Sequence, residues 1–133
     1  DIDYNTASPP SKDTGARFYG PVCSSSSIAA SGMFAHAALV FAEFEELETY
    51  AADLGERAVR AYDWYDANPK RDDGDDGEIK AGDADRSLAD QEAIKVTAAV
   101  YLFALTGEDR FHQVVKNNYK LARPFNDGET PRW

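Results

Sequence analysis

Apolar residues between positions 28 and 41 fall on nearly every side of a helical projection. Ile28, Phe34, Val40 and Phe41 supply bulk, while Ala29, Ala30, Ser31, Gly32, Ala35, Ala37 and Ala38 keep the rod thin. A helix apolar all round is a buried one, and its small residues let neighbouring helices come close. Ser24 to Ser27 offer N-cap oxygens ahead of it. After a short acidic turn the pattern changes. Tyr50, Leu54, Ala58, Ala61, Tyr62 and Tyr65 recur every three or four residues, which predicts a helix with one core-facing stripe. Glu56, Arg57, Arg60 and Asp63 form its solvated side, with Thr49 as the expected N-cap. Asn68-Pro69 stops it, because proline disfavours helical geometry in the residue before it.

A second pair of helices follows. Ser87-Leu88-Ala89-Asp90 reads as a capping box. The third helix carries its stripe on Ala89, Ala93, Val96, Val100, Phe103 and Ala104 and ends at Thr106-Gly107, glycine being the usual residue just past a helix. Glu108-Asp109 open the fourth helix at its positive end. Its stripe is Phe111, Val114, Val115 and Tyr119; Lys116 and Lys120 suit its far end, and Pro124 stops it. The chain therefore divides into a loop over 1–23, a helical hairpin over 24–69, an acidic loop over 70–86, a second hairpin over 87–122 and a loop over 123–133. The first loop is broken by Pro9, Pro10, Gly15, Gly20 and Pro21, with one short extended piece near Arg17-Phe18-Tyr19. No repeat of fixed period stands out.

Composition narrows what such a chain does. At 133 residues it fits one domain, and 43% hydrophobic residues are enough for a core. There are 24 acidic against 14 basic residues, net −10. That balance argues against nucleic acid, which wants a basic surface, and against anionic membranes. No apolar run is long enough to span a bilayer, and the start does not read as a signal peptide. The single cysteine, Cys23, permits no internal disulfide and leaves the redox compartment open.

The acidic loop is the sharpest local motif. From 72 to 83 it reads DDGDDGEIKAGD. Asp72, Asp76, Gly77, Ile79 and Asp83 match positions 1, 5, 6, 8 and 12 of an EF-hand-type calcium loop. Gly74 brings no oxygen to position 3, and Asp83 is shorter than the usual glutamate. Two readings stand: a structural calcium site on Asp72, Asp76 and Asp83, or a solvated acidic turn. His36 and His112 have no ligand spacing around them and read as packed or surface histidines. Cys23 has no Cys or His at metal spacing, and Ser24 to Ser27 lack a G-x-S-x-G context. Trp64, Tyr65 and Tyr19 read as packing.

Three stretches carry a resemblance. AHAALVF at 35–41, the run Ala61-Tyr62-Asp63-Trp64-Tyr65-Asp66-Ala67-Asn68-Pro69, and AAVYLFALTG at 98–107 resemble the middle of glycoside hydrolase family 9, the inverting cellulases and related β-glucan hydrolases. The resemblance spans most of 20–120 and rests on alanines and aromatics. It implies an all-α fold: two consecutive inner–outer hairpins of an incomplete (α/α)6 barrel. It also implies a parent enzyme acting on β-1,4-glucans or their oligosaccharides without a required cofactor, and favours an extracellular or periplasmic setting that the sequence itself leaves open. The family's base lies in an early D-A-G-D motif and its acid is a late glutamate. Gly82-Asp83-Ala84-Asp85 is similar to the first but sits after the second helix, so no catalytic carboxylate is expected here and the chain alone should not hydrolyse glycosidic bonds. The family lines its cleft with tryptophans, one of them after a helix like 108–122, which makes Trp133 the candidate sugar contact; the other reading is a frayed terminus. Four helices of a twelve-helix ring should also leave apolar faces open to self-association. The alternatives are a stand-alone helical-hairpin interaction module and a piece of another α-toroid carbohydrate-active enzyme.

Overall fold

Among residues 10–12, 14, 22–72, 86–122 and 125, which the computed structural model describes, four α-helices carry the fold. They are α1 (Ser24–Phe41), α2 (Glu48–Ala67), α3 (Leu88–Thr106) and α4 (Asp109–Asn118), with 3-10 turns at Pro10–Lys12, Glu45–Leu47 and Tyr119–Leu121. No strand occurs among the described residues. The expected extended piece at 17–19 and the stop at Pro124 lie outside them.

The helix ends show which local signals decide. Ser87 caps α3 as expected, its Oγ accepting from the Asp90 amide at 3.1 Å. Gly107 closes α3 in the left-handed region at φ 69°, where a side chain would be strained. The N-termini of α1 and α2 depart from expectation, while α4 opens at Glu108-Asp109 as expected. The four serines form the first turn of α1 and its N-cap is Cys23; Ser27 Oγ donates back to the Cys23 carbonyl at 2.8 Å. Thr49 lies inside α2, because the Glu45–Leu47 turn feeds directly into the helix and puts Leu47 at the cap.

Side-chain contacts fix the directions. Ser24 meets Gln91, Gly32 meets Ala98 and His36 stacks on Tyr101, so α1 and α3 run parallel. Ser24 meets Arg71, Ser31 Oγ donates to Ala58 O at 2.8 Å, and Phe41 packs on Tyr50, so α2 returns antiparallel to α1. Phe103 stacks on His112 across the α3–α4 turn, which makes the second hairpin. Two parallel helices are thus each backed by an antiparallel one. Small residues set the spacing: a methyl group on Gly32 would sit 3.4 Å from both Ala98 Cα and Cβ.

The core joins Ile28, Ala35, Ala58, Tyr62, Leu102 and Phe111. The single-stripe readings of α2 and α3 need correction. Tyr50 is 52% exposed and Ala51 takes its place. On α3 the buried positions are Gln91, Val96, Ala98, Ala99 and Leu102, while Val100 and Phe103 are partly exposed. The reason is geometric. α3 packs against α1 on one side and α4 on another, so its covered arc is not centred on its bulkiest residues. Tyr65 is buried and Trp64 half-buried. No helix of the described residues is long and apolar enough to cross a membrane.

Tyr62 carries a cost in this core. Its ring is 2% exposed and meets Phe111 edge-on at 5.1 Å, yet its buried hydroxyl has no hydrogen-bond partner among the described residues. Burial, with Asp66 and Glu92 nearby, pushes the phenol well above its ordinary value, so the group stays neutral throughout the range where the protein is folded. An unpaired buried hydroxyl costs about 1–3 kcal/mol. Tyr62→Phe is therefore expected to stabilise the chain by about 1 kcal/mol, read as a higher denaturation midpoint with unchanged far-UV dichroism.

Candidate functional site

The end of the bundle where α1 and α3 begin and α2 finishes gathers the polar chemistry of the interior. Ser24 is 3% exposed and Gln91 is fully buried. Both Gln91 Nε2 hydrogens are used: one bonds Arg71 O at 2.6 Å, the other Arg86 O at 2.7 Å. Gln91 Oε1 lies 2.8 Å from Ser24 Oγ, which donates to it. Ser24 Oγ in turn accepts from the Arg71 amide at 3.0 Å and lies 3.2 Å from Arg71 O. Since the partners of Nε2 are two carbonyl oxygens, only an NH2 group fits there, which settles the amide orientation.

Local folding explains the placement. The Ser87 cap starts α3 so that Gln91, Ala98 and Leu102 share one inward face, and Gln91 occupies its first turn. The α1 start puts Ser24 against the chain leaving α2. Beside it, Cys23 Sγ lies 2.9 Å from Ser25 Oγ. Burial pushes that thiol up, but hydrogen bonds from Ser25 and Ser26 outweigh it, and the net shift is downward. On the flank, Tyr65 Oη donates to Glu92 Oε1 at 3.1 Å; burial and that carboxylate raise the phenol. The positive ends of two parallel helices meet here, at the place where the acidic segment 72–85 is attached.

Of the residues singled out in the sequence, Asp72 stands exposed at the edge of this end. Asp76, Asp83 and Trp133 lie outside the described residues, as do Tyr19 and Gly82-Asp83-Ala84-Asp85. Among the described residues no three His, Cys, Asp or Glu side chains gather as a metal site requires. His36 stacks on Tyr101 at 4.7 Å and His112 on Phe103 at 5.0 Å, each in an aromatic contact. The Ser24–Gln91 pair was missed. Its one sequence signal is a glutamine in heptad register with Ala98; the partners lie 67 positions apart.

An apolar groove of about 630 Å³ opens at the opposite end, between Ala38, Ala51, Gly55, Val59 and Leu105. Glu48, Glu56, Arg60 and Thr106 also line it, but its open wall is almost wholly apolar, which suits an apolar occupant better than a hydroxyl-rich ligand. A family model described as glycosyl hydrolase family 9 matches residues 2–133. No curated protein and no solved structure matches the chain. The family match runs through both hairpins and the segments around them, and the parallel pair with its outer backing is how such a barrel is built: the chain belongs to glycosyl hydrolase family 9.

Proposed function

We propose that this chain is a wall sector of an inverting β-glycosidase acting on β-1,4-glucans or their oligosaccharides, and that the catalytic carboxylates come from other parts of the parent enzyme. The observation that carries this reading is the parallel α1–α3 pair, backed by α2 and α4, within a match to the family. Inversion needs an acid and a base about 6.5–9.5 Å apart with a water between them. The sequence holds the motif for neither at its expected place. The sector supplies barrel wall and, at the end where α1 and α3 begin, cleft rim; Trp133 would stack on a pyranose face elsewhere in the parent's cleft lining or at that rim.

The test compares this chain with a longer one that adds the neighbouring encoded sequence carrying a D-A-G-D motif and a late glutamate. The longer chain should cleave cello-oligosaccharides and release the α-anomer first, followed by proton NMR. This chain alone should show no turnover. Release of the β-anomer would rule out inversion, and turnover by this chain alone would rule out the missing-carboxylate reading. For the acidic loop, calorimetric titration with Ca²⁺ separates the two readings of Asp72, Asp76 and Asp83: heat and a higher melting temperature support the ion, their absence the solvated turn.

The open faces support a second part of the proposal. Met33 is 69% and Val40 46% exposed on α1, two turns apart on one side of the helix. Contiguous exposed apolar surface of this kind favours association, while a net charge of −10 opposes it. The chain is expected to self-associate with rising concentration, more at high salt where repulsion is screened. In light scattering, Met33→Glu should shift it towards the 14.6 kDa monomer; unchanged mass would remove this surface from consideration.

A further inference from the structure

We propose that Gln91 and Ser24 form a two-ended fastener: one buried side-chain amide and one buried hydroxyl tie down the residues on either side of the segment 72–85. Arg71 and Arg86 flank that segment in sequence. Their carbonyl oxygens accept from the same nitrogen, Gln91 Nε2, at 2.6 and 2.7 Å. The two oxygens therefore lie no farther apart than those two distances combined, and the segment leaves and rejoins the bundle at one point.

The division of labour is uneven. Gln91 holds both ends, whereas Ser24 accepts from the Arg71 N–H, gives its one proton to Gln91 Oε1 and has no direct bond to Arg86. Every donor and acceptor of the amide is used, and the pair is shut away from water. Such a network is rigid when fully satisfied and costly when one member goes. Gln91 is thus a positioning residue. It fixes the two points, at Arg71 and Arg86, between which the acidic segment runs. Its bearing on glucan binding rests on the reading of that end as cleft rim; the fastening itself does not.

Trypsin reads the fastener directly. The carbonyls held by Gln91 are those of the two arginines after which trypsin cuts, and cleavage requires the carbonyl oxygen to enter the protease's own donor pair. Limited digestion of the 133-residue chain, followed by mass spectrometry, is expected to be slow after both Arg71 and Arg86. Gln91→Leu should speed both cuts about tenfold or more, the factor expected for losing a buried hydrogen bond. Ser24→Ala should speed the cut after Arg71 and leave Arg86 near wild type. Cuts after Arg57 in α2 and Arg110 in α4 report general unfolding and should not change. If all four sites accelerate together, or none does, the proposal is overturned. If Gln91→Leu does not fold, the Arg71-to-Arg86 ratio in Ser24→Ala decides alone, and equal acceleration of both overturns it. No glycan enters this assay. A fastener that holds beside a longer chain without glucanase activity would sink the enzyme reading alone, and the converse would sink the fastener alone.

Discussion

Gln91→Glu should be the most damaging conservative change in the chain, and its effect should depend on pH. The side chain keeps its size, but the group facing Arg71 O and Arg86 O changes from a double donor to an acceptor. In the ionised form a fully buried carboxylate would face two carbonyl oxygens with only the Ser24 hydroxyl to help it. Uncompensated buried charge costs on the order of 3–5 kcal/mol. The glutamic acid form loses less, because its one proton still serves one carbonyl, leaving about 1–3 kcal/mol for the other. The folded state thus prefers the protonated form, and the folded pKa lies above the unfolded value of about 4.3. A raised pKa means that stability is kept below the unfolded value and lost as pH rises through the folded one. Denaturation midpoints taken from pH 5 to pH 8 should show the gap between variant and wild type widening with pH. Parallel curves would mean that the carboxylate escapes to water and that the amide is not the enclosed clamp described above.

The contrast between what was legible in the sequence and what was not follows from locality. The Ser87–Asp90 cap and the left-handed Gly107 are decided within a few residues, and both are as the sequence predicts. The four helices are equally local, since proline, glycine and capping residues punctuate them. The faces of α1 and α3 are not. A stripe rule assumes one partner, and α3 has two, so Val100 and Phe103 look like core in projection yet stand partly open. Tyr50 fails for another reason: the 3-10 turn before α2 places it beside Phe41 at the rim, ring centroids 5.7 Å apart. The Ser24–Gln91 pair is the extreme case. It joins positions from the first turn of one helix, the exit of a second and the start of a third, and no window along the chain contains them all.

Phe111→Ala should release α4 while leaving the first hairpin intact. α4 has ten residues, too few to hold a helix in water without tertiary support. Phe111 is its one buried side chain, fully enclosed, edge-on to Tyr62 and beneath the Arg110 guanidinium at 4.3 Å. The remaining ties across to α2 are the exposed Arg110–Asp63 pair, with Arg110 also bonded to Glu108 at 2.8 Å. Exposed ion pairs contribute about 0–1 kcal/mol, whereas truncating a buried phenylalanine costs about 3–5 kcal/mol. The aromatic anchor therefore outweighs the charges, and its loss is comparable with all the stability a short element can have. In hydrogen exchange the amides of 109–118 should lose protection in the variant while those of α1 and α2 keep theirs, and Asp63→Asn should leave all of them protected. Retained protection over 109–118 would place the anchor elsewhere.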